Sequence, residues 1–389
     1  MENNLPVSSR IKEIYQQQFG TPACIVRSPG RINLIGEHTD YNLGFVLPAA
    51  IDKAIYVAIG KRDDGRIGLY AADLDRSYEG SISDIRVSGQ HWPDYVLGVV
   101  QQLQKAGHRL AGFSAVILGD VPLGAGLSSS AALECATVFA LNELFQLGLE
   151  KRNMVQLAQK AENEFVGLQC GIMDPFASVF GKKGQVIRLD CRSLEYAYMP
   201  FSTETYKIVL FDTGVKHSLA SSEYNLRRQE CEEGIRIIQK AYPQVRSLRD
   251  AEISMVNECL QTGDPVVYKR CKYVVEEISR LQEACDDLVN NDLTAFGKKM
   301  FATHDGLSRL YEVSCPEADA LVAMVRNRPE VLGARMMGGG FGGCTINIVQ
   351  QDAIPELVAV VEKDYKERFD RELKTYIVNI DEGTTLVTI

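Results

Sequence analysis

Apolar residues along the chain follow two spacings, one typical of strands and one typical of helices. In the first part of the chain, alternating apolar and β-branched residues predict strands at residues 23–26, 54–60, 66–72 and 112–120. Apolar residues three and four positions apart predict helices at residues 11–19, 91–107, 129–145 and 151–167. Strands and helices are therefore expected to share one domain here.

The second part of the chain is predicted to be mostly helical between two groups of strands. These strands are predicted at residues 185–190, 207–213, 334–337, 344–350 and 375–380. Because the helices are grouped between strands rather than alternating with them, the order favours an α+β fold over a doubly wound parallel sheet. A loop near residue 200 is the expected boundary between two domains, residues 1–200 and 201–389.

Composition narrows the class of protein without identifying its chemistry. The formal net charge of -9 and pI near 5.3 argue against a nucleic-acid or membrane-surface partner. Ten cysteines without a CxxC pair are typical of reduced thiols in a cytoplasmic protein. No stretch reaches the ~18 apolar residues of a membrane span, and no apolar leader precedes the first helix. We therefore expect a cytoplasmic protein.

The segment DVPLGAGLSSSAALE combines glycines with three serines at the start of a long helix. Free backbone amides at a helix start suit nucleotide phosphates, and the Ser130 hydroxyl could reach a bound metal ion. A serine N-cap after a glycine turn explains the same residues about equally well. The segment is not a Walker A loop, because no Lys follows the glycines, and the HRD and DFG motifs of protein kinases are absent from the sequence.

A second glycine-rich segment, ARMMGGGFGGCTINIV, contains a formal GxGxxG match. It precedes a predicted strand rather than a helix, so a Rossmann dinucleotide site is not expected. The glycines are explained either by backbone packed closely against a ligand or another loop, or by a simple turn between two strands.

The segment SPGRINLIGEHTDYNLGFVLP places Arg31, Glu37, His38 and Asp40 in what the pattern predicts to be a polar loop. Carboxylates can each accept hydrogen bonds from two sugar hydroxyls, and His38 could bond a hydroxyl or a neighbouring carboxylate. Charged residues in a loop are about twice as often simply solvated as they are ligand-binding. No second His or Cys stands at zinc-ligand spacing.

The segment AENEFVGLQCGIMDPF places Glu162 on a predicted helix and Asp174 after a Cys-Gly turn. The two carboxylates could converge on a phosphoryl-transfer centre, where one holds magnesium and the other faces the acceptor. A solvated helix-face Glu and a turn-forming Asp before Pro175 are again about twice as common in general.

Taken together, these segments resemble the galactokinases of the GHMP small-molecule kinase superfamily over nearly the whole chain. GRINLIGEHTDYN is similar to the galactokinase sugar signature, VPLGAGLSSSAALE to the superfamily phosphate loop, and GARMMGGGFGGC to its third motif. The first motif is specific to galactokinases. In the third motif the family usually has Arg-Met-Thr-Gly, whereas Met337 stands here in place of the threonine.

The resemblance implies roles for residues that match the family motifs. Asp174 would be the catalytic carboxylate and Arg31 would stabilise charge at the transferring group. The implied sugar-binding residues are Glu37, His38, Asp40, Gly171 and Tyr224. The implied ATP-binding residues are Trp92, Gly124, Gly126, Leu127, Ser128, Ser129 and Ser130. Ser130 and Glu162 would bind Mg²⁺. Trp92 is also an aromatic residue on an amphipathic helix, which is common in protein cores.

The resemblance also implies a fold and an activity. The expected fold is a ribosomal-protein-S5-like N-terminal domain and a ferredoxin-like C-terminal domain, with the active site in the cleft between them. The expected enzyme is a monomer that transfers phosphate from ATP to the anomeric hydroxyl of galactose, the first committed step of the Leloir pathway. Two alternatives stay open: a kinase for N-acetylgalactosamine or another small alcohol, and a silent galactose sensor.

Overall fold

The computed structural model describes residues 6–122, 124–201, 204–215 and 220–388 of the chain. The helices are α1 (Val7–Phe19), α2 (Trp92–Lys105), α3 (Ser129–Phe145), α4 (Lys151–Ala161), α5 (Met173–Phe180), α6 (Ala220–Ala241), α7 (Ile253–Leu260), α8 (Pro265–Val289), α9 (Leu293–Gly306), α10 (Pro316–Val325) and α11 (Ile354–Phe369). The strands are β1 (Cys24–Asn33), β2 (Phe45–Val46), β3 (Pro48–Arg62), β4 (Arg66–Ala71), β5 (Arg76–Ser81), β6 (Gly112–Gly119), β7 (Gln185–Asp190), β8 (Tyr196–Pro200), β9 (Tyr206–Asp212), β10 (Val331–Met336), β11 (Cys344–Gln350), β12 (Lys374–Val378) and β13 (Thr385–Leu386).

A six-stranded sheet in the order β13-β1-β3-β6-β4-β5 forms the centre of the N-terminal part. Neighbouring strands are antiparallel except β4 and β6. Helix α1 covers one face, where Ile11 and Tyr15 pack against the strands. Helix α3 packs on β1 and β3. Its inner turns carry Ala131, Ala132, Cys135 and other buried small residues, which allow a close approach to the sheet.

The C-terminal part contains a four-stranded antiparallel sheet in the order β10-β11-β9-β12. Helices α6 to α10 lie between β9 and β10 in the chain, and α11 lies between β11 and β12. This β-α-β-β-α-β order is that of a ferredoxin-like domain. The expected α+β fold is confirmed, and the short strand β13 returns to pair with β1 at the edge of the N-terminal sheet.

The structure differs from the predicted elements at two residues of the candidate site, Arg31 and Asp174. Arg31 was expected in a loop, but it lies in β1, because a register shift between Pro29 and Arg31 lets the pairing with β3 continue past the proline. Asp174 was expected to follow a Cys-Gly turn, with a turn-forming Asp before Pro175 as the alternative, and it lies in the first turn of α5. Pro175 is tolerated there because first-turn amides have no helical partner.

A single helix was predicted at residues 151–167. In the structure the α-helix stops at Ala161, and a π-helical turn, Glu162–Val166, follows it. The Glu162 carbonyl closes this turn by accepting from the amides of Gly167 and Leu168. Wider turns of this kind occur frequently at functional sites. Glu162 therefore begins an irregular segment rather than continuing a regular helix face.

Candidate active site

A cleft of about 530 Å³ lies where β1, the α3 start, the π-helical turn, α5 and the β10–β11 glycine loop meet. Most of the candidate residues, which come from widely separated parts of the chain, line it. These are Arg31, Glu37, His38, Asp40, Gly124, Gly126, Ser128, Ser130, Glu162, Gly171, Asp174 and Tyr224, together with Tyr95, Leu168, Cys170, Met173 and Gly338, Gly339 and Gly340.

The Asp174 carboxylate is held in place from two sides. Arg31 donates from Nε to Oδ1 and from Nη2 to Oδ2, both at 2.8 Å, and also donates from Nη1 to the Gly126 carbonyl. Ser128 Oγ donates to Oδ2 at 2.7 Å. The side chain of Asp174 keeps 22% exposure to the cleft, whereas that of Arg31 is nearly enclosed. A bidentate arginine fixes the plane of the carboxylate, so one face of Asp174 is presented to a ligand.

The phosphate-loop candidate has the backbone geometry that its glycines require. Gly124 and Gly126 have φ of 80° and 76°, and Ser128, which precedes α3, also has a left-handed φ of 58°. The N-cap explanation of the serines is wrong for Ser128, because its hydroxyl makes no capping bond and bonds Asp174 instead. Leu127 is buried and can offer a ligand only its backbone, while Ser129 lines a neighbouring cavity.

The glycines between β10 and β11 pack against the phosphate loop. A Cβ at Gly338 would stand 3.3 Å from the Gly126 carbonyl oxygen, and a Cβ at Gly126 would stand 3.4 Å from the Met337 carbonyl oxygen. Close packing against another loop therefore explains these glycines better than a simple turn does. The Met337 side chain is buried in the core.

Ser130 and Glu162 form the candidate metal site. Burial raises the pKa of the Glu162 carboxyl, the Asp174 charge adds to this, and hydrogen bonds from Cys170 and Ser130 oppose it. Cys170 Sγ lies 3.2 Å from Glu162 Oε2. A hydroxyl and a buried carboxylate beside a phosphate cradle fit Mg²⁺, which prefers oxygen ligands and takes its remaining ligands from phosphates and water.

The remaining candidates, from Glu37 to Tyr224, form the opposite wall. Glu37 is buried and pairs with Arg335 at 2.8 Å, so it is not a solvated loop charge. Asp40 is also buried, and its Oδ2 is so close to Gly171 that a Cβ there would stand at 1.8 Å, which leaves room only for glycine. The Tyr224 ring lies 5.3 Å from the His38 ring.

His38 has one ring nitrogen available to a ligand. Nδ1 lies 2.7 Å from the Tyr41 hydroxyl, whereas the buried Nε2 has no partner among the described residues. Burial lowers the pKa of His38 to about 3, and the Arg227 charge adds to this effect. The imidazole is therefore neutral at pH 7, and its free nitrogen suits a hydroxyl better than an anion.

A second cavity of about 390 Å³ adjoins the cleft and is mostly apolar. Trp92 lines it, and Tyr95 and Ser130 line both cavities. The buried Trp92 Nε1 has no hydrogen-bond partner within the described part of the chain. An apolar chamber joined to the phosphate loop suits a flat, hydrophobic group such as a nucleobase.

Comparison with known proteins agrees with this geometry. The galactokinase galactose-binding signature matches residues 13–61, and the N-terminal and C-terminal domain models of the GHMP kinases match residues 94–182 and 281–367. The galactokinase of Thermotoga neapolitana is 41% identical over 358 residues, which are 92% of this chain and 98% of that protein. The chain belongs to the galactokinases. A Clostridium acetobutylicum galactokinase is 39% identical over 97% of both chains.

Solved structures share the fold of this chain. The Lactococcus lactis galactokinase complexed with galactose superimposes with a TM-score of 0.93 at 34% identity, covering 98% of this chain and 100% of that one. A mevalonate kinase structure with 20% identity has a TM-score of 0.62 and shares the fold. The two-domain GHMP kinase architecture is confirmed. None of the described helices is both long and apolar enough to cross a membrane.

Two buried charged residues next to residues of the site have no assigned role in the sequence analysis. Arg335 lies in β10 and donates to the carbonyls of Asn33 and Leu34 as well as to Glu37, so it joins the C-terminal sheet to the end of β1. Glu134 lies inside α3 with both carboxylate oxygens buried. The arginine of the third motif was the only available signal for Arg335. For Glu134, the signal was a charged residue among the small and apolar residues of the first half of α3.

Proposed function

We propose that this cleft transfers the γ-phosphoryl group of Mg·ATP to the anomeric hydroxyl of α-D-galactose, giving α-D-galactose 1-phosphate and ADP. The observation that carries the proposal is the position of Asp174. Arg31 and Ser128 hold it between the phosphate loop and the wall formed by Glu37, His38 and Asp40. A carboxylate at that junction can face an acceptor hydroxyl and a terminal phosphate at once. Its action as a cytoplasmic monomer stays a prediction from the sequence.

The mechanism places orientation before proton transfer. A phosphoryl-transfer transition state is largely dissociative, so most of the rate enhancement comes from alignment and charge neutralisation. Asp174 accepts three hydrogen bonds from Arg31 and Ser128, which fix the orientation of its carboxyl group. In this proposal Asp174 aligns the acceptor hydroxyl and takes up its proton late. Arg31 balances charge that develops between the acceptor and the phosphate.

The phosphates occupy the start of α3 in this proposal. The loop that contains Gly124 and Gly126 leads into the N-terminus of α3, where free backbone amides and the positive end of the helix dipole favour anions. Ser130 and Glu162 would hold Mg²⁺, which would supply neutralisation of phosphate charge. The adenine enters the apolar cavity beside Trp92.

Galactose binding should depend on the ionisation of Asp40. Burial raises the pKa of the Asp40 carboxyl to about 7, and the charges of Asp174 and Glu37 add to it. If the sugar hydroxyls donate to the ionised form, binding expels a proton, and galactose affinity should be about tenfold weaker at pH 6 than at pH 8. His38 does not titrate in this window.

Calorimetry at pH 7 in two buffers of different ionisation enthalpy checks this directly. We expect galactose binding to release a fraction of a proton in wild type and none in Asp40→Asn at high sugar concentration. An affinity that stays constant from pH 6 to pH 8, or proton uptake on binding, would contradict the role given to Asp40.

ADP release over a panel of acceptors tests the proposed function against its alternatives. We expect release with galactose and little with glucose, mevalonate or homoserine. Faster release with N-acetylgalactosamine would favour the related sugar kinase, and no release with any acceptor would favour a sensor. The intact Asp174–Arg31–Ser128 arrangement supports the enzyme.

A further inference from the structure

Glu134 is a buried acid that the mechanism above does not use. Its side chain has no solvent exposure, and neither carboxylate oxygen has a hydrogen-bond partner among the described residues. Buried carboxylates are normally paired or hydrogen-bonded, because removing an isolated charge from water is costly. An unpartnered carboxylate at such a depth therefore indicates a ligand that supplies the missing partner.

The position of Glu134 places that ligand at the candidate metal site. Glu134 follows Ser130 by four residues on α3, so the two side chains lie on the same face of the helix. Helix α3 packs against α4, which leads into Glu162, and against α5, which carries Asp174. The charges of both carboxylates raise the pKa of Glu134 further, beyond the effect of burial.

We propose that Glu134 is a positioning residue of the metal site and strengthens the binding of Mg²⁺ at Ser130 and Glu162. Within the described ranges, no three His, Cys, Asp or Glu side chains are grouped to share one ion. In this proposal Glu134 bonds water held by the metal rather than the metal itself. Mg²⁺ usually retains several waters, and carboxylates that bond such outer ligands tune the affinity of a metal site.

This inference rests on the proposed function and predicts a loss of metal affinity without a loss of the fold. Glu134→Gln and Glu134→Met remove the carboxyl group, and neither removes a hydrogen bond to the described residues, so both variants should fold with a melting temperature near that of wild type. We expect Mn²⁺ to bind the protein–ADP complex about tenfold more weakly in both variants. Raising the Mg²⁺ concentration should restore their turnover.

The test is Mn²⁺ titration monitored by electron paramagnetic resonance, with galactose affinity measured by calorimetry on the same samples. The control is Glu164→Gln, because Glu164 pairs with Gln102 and Lys105 away from the cleft. Unchanged Mn²⁺ affinity in the Glu134 variants, or an equal loss of galactose affinity, would overturn the proposal. Absence of galactose phosphorylation by wild type would instead refute the proposed function, whatever the Glu134 variants do.

Discussion

Replacing Asp174 with alanine or asparagine is expected to lower kcat for galactose phosphorylation by about 10³- to 10⁴-fold. Neither side chain can accept the hydroxyl proton, and neither can hold the Arg31 guanidinium through two charged hydrogen bonds. The affinities for galactose and ATP should change far less, since the walls formed by Glu37 and by the phosphate loop stay in place.

Steady-state kinetics with separate calorimetric titrations of each substrate distinguish these effects. Glu164→Gln serves as the control, because it changes a carboxylate outside the cleft. A folded Asp174→Asn enzyme with near-normal turnover would show that the carboxylate is not the catalytic group. A variant that binds neither substrate would show that Asp174 supports the shape of the cleft instead.

Replacing Arg335 with methionine is expected to lower the free energy of unfolding by about 3–5 kcal/mol. The Arg335 and Glu37 side chains are 0% and 3% exposed, so the change leaves a buried carboxylate without its partner. It also removes the donors to the Asn33 and Leu34 carbonyls. Because Glu37 lines the cleft, galactose affinity should fall together with stability.

Urea denaturation of Arg335→Met, Glu37→Gln and the double variant measures the pair directly. The double variant should be less destabilised than the sum of the single variants, because the unpaired charge is gone. Arg236→Met is the control: its ion pair with Glu233 is 66% and 46% exposed, so it should cost under about 1 kcal/mol. A comparably small cost for Arg335→Met would contradict the structural role of the pair.

Local patterns predicted much of the fold. The range of α3 and the strand at residues 344–350 match the structure because their hydrophobic patterns are strong and uninterrupted. The strand β5 was not predicted, because its exposed and polar residues carry little alternation. The strand β8 was not predicted, because it has only five residues and ends at a proline. The pairing of β13 with β1 depends on contacts across almost the whole chain, which no local pattern contains.

The sequence motifs predicted many residues of the candidate site. They did not predict the contacts between residues that lie far apart in the chain. Arg31, Asp174 and Ser128 were named from separate segments, but their mutual hydrogen bonds appear only in the folded chain. Glu37 and Asp40 resembled solvated loop charges, since nothing local indicated that they would be buried.

The most direct test of the account is nuclear magnetic resonance of the product formed from galactose and Mg·ATP. We predict one phosphorylated sugar, with phosphorus coupled to an anomeric proton of the α configuration, and one ADP for each sugar consumed. Phosphate on any other hydroxyl, or ADP accompanied only by inorganic phosphate, would contradict the placement of the anomeric hydroxyl beside Asp174.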